Sequence, residues 1–537
     1  MEDVLFWADS KARKITEREK FHYIDKDIPE FDKLTIKTSA SISGVLHIGR
    51  LSDTIRADSV CIALQEAGYD VELIWVAEDM DPLRKIPEGM PRKFEEYIGM
   101  PVTSIPDPWG CHSSYAEHHV SPYFEVIQEF VRTDIKGYSM REEYTCGNFT
   151  HYIKEILENQ NQAIEILNRY RQKPIPQGYS PFVPICENCG KIITTRIDKY
   201  EEGKVYYSCQ DYKFEKYTAK GCGHIGIADP LKDMGKLMWK SEWAAQWARW
   251  RVVSEGAGKE YVVPMSAWWV NSEIAEKILG FPMPVPIFYE HLMINGEKMS
   301  ASLGNVVYPK DWLEVAPAQL LRFFYNKKLM KTRSFSWQEL PRLYDDYDNH
   351  ARVYFDLEKV GSEKELKHMR RLYEISQLDA AEKPNPLPFS HAAMVASVYK
   401  EKDDIISSLE KSGHYKEEME EYILRRVKYA RVWFEKYAPE TESFLIDGLN
   451  EVRKKLSEEQ IRFLGKLGEV VSSSDMSGEE LQQKIYEIAQ ELEVPLKAAF
   501  QSIYLVTLGK AYGPKAGMFL ASLPRKWVIK RLEEAAS

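Results

Sequence analysis

The feature that most constrains the fold is a strand, loop, helix and strand near the start of the chain. Residues 34–38 alternate and are rich in β-forming side chains, and they lead into a loop of small residues over 39–44. A helical pattern follows over 46–65, Gly68 ends it, and 71–76 form an apolar run typical of a buried strand. This βαβ unit predicts an α/β fold with a doubly wound parallel sheet of the Rossmann type.

The pattern of the chain changes twice beyond this unit. Between residues 180 and 228, cysteines, glycines and short tyrosine-rich runs predict an inserted metal-binding element. From residue 345 the pattern is almost purely helical, with capping boxes at Ser457 and Ser477. One apolar helical stripe runs through Met419, Ile423, Val427, Ala430 and Phe434. We expect a catalytic domain over 1–344, which includes the insertion, and an α-helical domain over 345–537.

Composition limits the class of protein. The chain has 537 residues and 44% hydrophobic residues, so it can bury sizeable cores. No stretch reaches the roughly 18 apolar residues that span a bilayer, and the acidic start has no secretory pattern, so we expect a cytoplasmic protein without membrane partners. Because the net charge is −10, the chain as a whole does not attract nucleic acid. Any such contact would come from local basic runs, such as 425–428 and 525–531. Each run could equally be the solvated face of a helix.

Four of the seven cysteines cluster in the insertion. Cys186 and Cys189 form one two-residue knuckle, Cys209 follows, and the fourth ligand is either Cys222 or His224. Two such pairs can close a tetrahedral structural zinc site. The remaining cysteines, for which we expect core positions, are Cys61, Cys111 and Cys146.

Two short motifs carry the chemistry. Residues 44–50 (GVLHIGR) follow the first strand, so the free amides of the next helix would face the crevice above the sheet, where phosphate binds. His47 alone would ordinarily be a buried histidine with satisfied hydrogen bonds. Residues 296–302 (GEKMSAS) form a glycine- and serine-bearing loop whose Lys298 can neutralise charge on a leaving pyrophosphate.

In this order the two motifs resemble the "HIGH" and "KMSKS" signatures of class I aminoacyl-tRNA synthetases. Segments along the whole chain are similar to class I, archaeal-type lysyl-tRNA synthetases, among them 84–87, 106–118, 235–239, 242–247, 436–440 and 519–532. The resemblance implies a Rossmann catalytic domain, a zinc-binding insertion and an α-helical anticodon-binding domain. It also implies ATP, Mg²⁺, Zn²⁺, lysine and tRNA as cofactors and partners, and we expect a monomer.

The resemblance implies roles for individual residues. His47 and Lys298 would be catalytic. Contacts to the nucleotide would come from Ser43, Gly44, His47, Gly49, Lys298, Met299, Ser300 and Ser302. The amino-acid pocket would contain Ser39, Ser41, Asp53, Trp243, Tyr261 and Trp268. Asp53 falls where the family carries a glutamate, and is a candidate partner for an ammonium group.

The chain departs from the family at several of these places. Arg50, Ser39, Ser41 and Leu303 replace usual residues of the two motifs and the pocket. Further changes lie at Glu260, Tyr261, Met265, Trp268 and Trp269. Three hypotheses follow: a lysyl-tRNA synthetase with an unusual pocket, a paralogue with another amino acid or acceptor, and a non-catalytic tRNA-binding or regulatory protein. Intact His47 and Lys298 argue against the last.

Overall fold

The computed structural model describes residues 6–42, 46–86, 90–175, 179–299, 305–438, 445–446 and 448–537. The chain forms two compact units. The first comprises residues 1–313, 317–335 and 359–381, and the second comprises 314–316, 336–358 and 382–537. The expected boundary at 344 falls inside the helix Leu340–Tyr354. Among the described residues, no helix has both the length and the apolar character needed to cross a membrane.

A five-stranded sheet organises the first unit. Its strands are β1 (Leu34–Ser41), β2 (Val71–Glu78), β3 (Ile135–Ser139), β4 (Val252–Gly258) and β5 (Val285–Tyr289). The order is β5-β4-β1-β2-β3, and every neighbouring pair is parallel. The chain builds outward from β1 in both directions, so the predicted parallel α/β sheet is confirmed. In such sheets the crevice for ligands opens where the order reverses, here between β1 and β4.

Helices cover the sheet, and the predicted βαβ unit lies at its centre. The helix Ile48–Glu66 connects β1 to β2, and most of its residues are buried because both faces meet protein. The other α-helices before residue 330 are Trp7–Thr16, Tyr115–Ile127, Met140–Thr145, Thr150–Glu158, Gln160–Arg169, Trp239–Arg249, Ala267–Lys277, Pro309–Val315 and Ala318–Asn326; Glu363–Ile375 completes this unit.

The smaller sheets lie outside the central one. A three-stranded antiparallel sheet, a two-stranded antiparallel sheet and a hairpin occupy the predicted insertion and its flank. Their strands are Phe182–Pro184, Thr195–Glu201, Lys204–Cys209, Tyr212–Lys213, Thr218–Ala219, Ile225–Ala228 and Gly235–Leu237. A further three-stranded sheet contains Leu292–Ile294, Glu297–Lys298 and Arg333–Phe335.

The second unit is helical, as predicted. Its α-helices are Leu340–Tyr354, Phe389–Val398, Lys402–Lys411, Glu420–Lys436, Asn450–Arg453, Glu458–Ser473, Gly478–Glu491, Leu496–Leu508, Ala516–Ala521 and Arg525–Ala536. Both predicted capping boxes form, at Ser457 with Gln460 and at Ser477 with Glu480. In each box the serine side chain accepts from the backbone N–H of the third helical residue, and the side chain of that residue accepts from the serine backbone N–H. Two donors at the start of the helix are thereby satisfied.

The basic run 425–428 is largely internal to the second unit. Arg426 is buried and donates to both carboxylate oxygens of Asp348, one of them at 2.8 Å. Arg425 pairs with Glu382 at 2.8 Å. Both arginines already have carboxylate partners within the unit. Arg426 is buried, so the interpretation of this run as a solvated helix face does not hold for it.

Candidate active site

A cavity of about 430 Å³ opens at the carboxyl ends of β1 and β4, where the strand order reverses. Of the residues expected at the site, it is lined by Ser39, Ser41, His47, Gly49, Asp53, Trp243, Tyr261, Lys298 and Met299. Residues far apart in sequence therefore meet at one site. The expected contacts Ser43, Gly44, Ser300 and Ser302 lie outside the described residues.

His47 caps the helix Ile48–Glu66. Its Nδ1 accepts a hydrogen bond from the backbone N–H of Gly49 at 3.2 Å. Burial, together with the neighbouring Arg50, lowers the pKa of His47 to about 4. The ring is therefore neutral at pH 7, and because Nδ1 accepts, the proton resides on Nε2. His47 can present one N–H donor to a ligand.

The two motifs meet at Gly49. A β-carbon placed there would lie 2.7 Å from Cε of Met299 and 2.9 Å from the His47 ring, so a larger residue would require one of these side chains to shift. Met299 is buried, whereas the adjacent Lys298 is exposed and lines the cavity. The backbone carbonyl of Lys298 accepts from Asn305 Nδ2 at 3.2 Å. Lys298 therefore lines the same cavity as the N-terminus of the helix Ile48–Glu66.

Five carboxylates line the cavity, and three of them have a lysine or histidine partner. Glu255 pairs with Lys37 at 2.6 Å, Asp81 with Lys236 at 2.9 Å, and Glu260 with His291 at 2.9 Å. These pairs satisfy three of the five acidic side chains at the cavity.

Asp53 and Glu78 are the two remaining acids. Burial, reinforced by Glu255, raises the pKa of Asp53 to about 7. Its Oδ1 has no hydrogen-bond partner among the described residues and lies against Gly256. Burial also raises the pKa of Glu78 to about 8, although the Gln246 amide donates to both of its oxygens at 3.1 Å. Lys37 lies near enough to act on both carboxylates, but neither has an ion-pair partner among the described residues, which favours a cationic ligand.

Aromatic side chains form one wall. Trp239 stacks on Trp243 with ring centroids 5.9 Å apart, and Tyr261 meets Trp243 edge-on at 5.3 Å. Trp268 lies one layer deeper, fully buried against Trp243 and Trp247, and does not line the cavity. Its large side chain fills the core beneath the aromatic wall.

Of the residues between 260 and 269 that depart from the family, only some line the cavity. Glu260 and Tyr261 line it, whereas Met265 and Trp269 do not. Met265 is 55% exposed, and Trp269 packs towards His22 with ring centroids 6.2 Å apart. Five departures from the family therefore lie in the cavity wall, at Ser39, Ser41, Arg50, Glu260 and Tyr261.

The sequence reasoning missed the Lys37–Glu255 pair. The two residues face each other in the parallel register of β1 and β4, and both are nearly inaccessible to solvent. The second oxygen of Glu255 accepts from Trp247 Nε1 and, at 2.8 Å, from Trp243 Nε1. The pair thereby orients the aromatic wall. A lysine within an otherwise β-forming strand was the available signal.

The four insertion thiols converge. Sγ of Cys186 lies 3.7 Å from that of Cys222, Cys189 and Cys209 are 3.6 Å apart, and all four sulfurs lie within 4.8 Å of one another. Tetrahedral zinc with Zn–S bonds of 2.3 Å would place sulfurs about 3.8 Å apart. His224 instead meets Glu187 at 2.8 Å, so the geometry selects Cys222 as fourth member of the set.

A second group of ligand-type side chains occurs in the segment 106–118. Asp107, Cys111, His112 and His118 place one ligand atom each within 4.8 Å of the others. Cys111 Sγ lies 3.1 Å from Nδ1 of both histidines. The prediction of a core position was wrong for Cys111 and Cys146, which are exposed, and right for Cys61. The run Asp-x₃-Cys-His-x₅-His was the missed signal, since such mixed ligands suit zinc.

Two family models match the chain. One, described as tRNA synthetases class I (K), matches residues 5–379. The other, described as an anticodon binding domain, matches residues 427–536. The first covers the central sheet and every residue of the cavity.

Full-length relatives agree with these matches. The chain is 32% identical to a lysine–tRNA ligase of Methanocaldococcus jannaschii over 549 residues, with 98% of this chain and 99% of the relative covered. It is 33% identical to that of Pyrococcus furiosus over 550 residues, with the same coverage, and 30% identical to that of Archaeoglobus fulgidus over 534 residues, with 99% and 100% covered. The protein with this cavity, from Ser39 on β1 to Met299, therefore belongs to the class I tRNA synthetases of the lysine type.

Proposed function

We propose that the chain is a lysine–tRNA ligase that activates lysine with ATP and transfers it to tRNA. The observation that carries this proposal is the single cavity into which His47, Lys298 and Asp53 all project, in a chain similar to lysine–tRNA ligases over nearly its whole length. ATP is the co-substrate of this class of enzyme.

The first step joins lysine to AMP. A lysine carboxylate oxygen attacks the α-phosphorus in line, and the bond from that phosphorus to the pyrophosphate oxygen breaks. Charge grows on the phosphate oxygens, which His47 Nε2–H and the positive end of the helix dipole at Ile48 can stabilise. Lys298 would meet the leaving pyrophosphate, and Mg²⁺ would accompany the triphosphate. No protein nucleophile is required, because positioning and charge stabilisation suffice.

Selection of lysine would rest on the two uncompensated carboxylates. Lysine carries two ammonium groups, and Asp53 and Glu78 both have pKa values raised by burial, so each gains from a bound cation. An amino acid with an uncharged side chain brings only its α-ammonium group and would leave one of the two deficits in place. Serines 39 and 41 line the same side of the cavity and can supply hydroxyl contacts.

Two structural elements complete the proposal. The four thiols of the insertion would hold one Zn²⁺, and the Asp107–His118 group would hold a second. The helical region from residue 345 would bind the anticodon part of tRNA, as the family model over 427–536 suggests.

Aminoacylation tests this function. Purified protein incubated with ATP, Mg²⁺, radiolabelled lysine and tRNA should yield acid-precipitable lysyl-tRNA. A paralogue with another acceptor would form the adenylate with lysine but leave tRNA uncharged. A non-catalytic tRNA-binding protein would retain tRNA on a filter and form neither product.

A further inference from the structure

A buried cation, Arg56, lies behind the wall of the catalytic cavity. It follows Asp53 by one turn on the helix Ile48–Glu66 and is only 4% exposed. Asp53 lines the cavity, and Arg56 does not. Among the described residues, its Nε has no hydrogen-bond partner, and its Nη1 donates to the carbonyl of Ser52 at 3.4 Å. Because arginine stays charged at neutral pH, this positive charge acts on the groups around it.

Two tyrosine rings hold the guanidinium group of Arg56. Its Cζ lies 4.5 Å from the ring centroid of Tyr289 and 5.2 Å from that of Tyr325. A cation over the face of an aromatic ring is attracted by the ring electrons. Tyr289 lines the cavity, and the Tyr325 hydroxyl donates to the carbonyl of Ile48 at 2.9 Å. Arg56 is therefore fixed between the cavity wall and the start of its own helix.

The charge of Arg56 also acts on Asp53. Titratable groups on four other elements face this carboxyl group, namely Lys37 on β1, Glu255 on β4, Tyr289 on β5 and Tyr123 on the helix Tyr115–Ile127. Glu255 disfavours the anionic form of Asp53, whereas Lys37 and Arg56 favour it. Lys37 already pairs with Glu255 at 2.6 Å, but Arg56 has no ion-pair partner among the described residues. Loss of Arg56 should therefore raise the pKa of Asp53 further.

Asp53 and Tyr289, the two residues on which Arg56 acts, meet at Gly256. A β-carbon on Gly256 would lie 1.7 Å from Oδ1 of Asp53 and 3.3 Å from Cε1 of Tyr289. The glycine thus leaves the space that the carboxylate occupies, with the tyrosine ring beside it. Both side chains line the cavity. A residue that sets the charge of one and the position of the other therefore controls the surface that a substrate ammonium group would meet.

We propose that Arg56 is a positioning residue for the amino-acid site: its charge keeps Asp53 anionic for a substrate ammonium group, and its stacking fixes Tyr289 in the cavity wall. This inference rests on the proposed function, which requires lysine to bind near Asp53. Arg56 does not line the cavity, so it acts through these two residues and not by touching the substrate. Its removal should weaken lysine binding most at the pH values where Asp53 would become protonated.

Equilibrium binding of radiolabelled lysine between pH 6 and 9, without ATP, tests the proposal. Arg56→Met removes the charge and keeps much of the volume, and Arg56→Gln is a second neutral variant should the first fail to fold. Relative to the parent at the same pH, the Kd for lysine should rise roughly fivefold or more at pH 7 and approach the parental value at pH 9. Arg56→Lys keeps a cation without the planar stack, so its Kd should rise less at pH 7.

The matched control is Arg18→Met. Arg18 is a partly buried arginine of the same unit that pairs with Glu276 at 3.3 Å and does not line the cavity. Its loss removes an equal charge, and the Kd for lysine should match that of the parent at every pH.

The pH profile separates the possible outcomes. A loss of binding at pH 7 that disappears at pH 9 in the neutral variants, and is smaller in Arg56→Lys, supports the proposal. A neutral variant whose Kd rises by the same factor at every pH overturns it, because Arg56 would then serve packing alone. Parental binding in the neutral variants also overturns it, while the proposed function stands. A parent protein that binds no lysine at any pH contradicts the proposed function itself.

Discussion

Nδ1 of His47 accepts a hydrogen bond from the backbone N–H of Gly49 at 3.2 Å, and this contact fixes the tautomer of the ring. The residue thereby has two separable tasks. Its Nδ1 caps the helix Ile48–Glu66, and its Nε2–H is free to meet phosphate oxygen.

Two substitutions at His47 should separate those tasks. Asparagine retains an acceptor near Nδ1 but lacks the reach of Nε2, whereas glutamine retains a distant N–H but caps helices poorly. We expect His47→Asn to keep near-parental thermal stability and lose roughly a hundredfold in adenylate formation. His47→Gln should lose about 1 kcal/mol of stability and keep more activity. Equal losses of activity in both variants would contradict the assigned tautomer.

Lys298→Ala should act on the transition state of activation. Because Lys298 would meet charge that develops on the leaving pyrophosphate, its loss should cost about 3 kcal/mol in the rate constant and change the KM for ATP little. Pyrophosphate exchange kinetics measure both quantities. Lys310→Ala, outside the cavity lining, is the matched control. Near-parental turnover in Lys298→Ala would show that this loop is not catalytic here.

Lysine binding should depend on pH through Asp53. With a pKa of about 7, the carboxyl group is mostly protonated at pH 6 and cannot neutralise an ammonium group. The KM for lysine should therefore fall as pH rises from 6 to 8, and Asp53→Asn should raise KM and weaken that dependence. Pyrophosphate exchange at varied lysine and pH measures it. A KM that rises over this interval would exclude the assigned role.

The same carboxyl group should affect folding stability in the opposite sense. Its folded pKa lies above the ordinary value of 3.8, so the protonated form stabilises the fold, and that contribution is lost as pH rises through 7. Asp53→Asn should therefore raise the melting temperature at pH 8 more than at pH 5. Thermal unfolding without lysine at both pH values checks this. Destabilisation at pH 8 would show that Asp53 is satisfied within the fold.

The zinc content of the protein should depend on the four insertion thiols and on the Asp107–His118 group. We expect two zinc ions per chain by elemental mass spectrometry, one lost in Cys186→Ser and the other in Cys111→Ser. Cys146→Ser is the control, because this exposed thiol belongs to neither group. A parent protein without zinc, in which Cys186→Ser folds as well as the parent, would contradict the thiol site.

The sequence predicted those parts of the fold that local patterns encode. The βαβ unit around His47 and both capping boxes formed because strand alternation, helix periodicity and caps act over a few residues. The motif pair predicted a shared site, and the cavity contains both His47 and Lys298.

Contacts between residues that are far apart in the chain could not be predicted from local sequence patterns. The register of β1 against β4 alone places Lys37 opposite Glu255, and no local pattern specifies it. Trp268 was predicted to belong to the amino-acid pocket. Its burial beneath Trp243 depends on how a helix packs on the sheet, which local patterns do not specify. Cys111 was missed because its partners belong to an irregular loop without the paired spacing of a thiol knuckle.

ATP–pyrophosphate exchange across a panel of all twenty amino acids tests most directly whether this cavity activates lysine. Asp53 and Glu78, which have no ion-pair partner among the described residues, line the same cavity as His47 and Lys298. We predict exchange that depends on lysine, with arginine and uncharged amino acids well below it. Exchange driven by a different amino acid, or by none, would contradict the account.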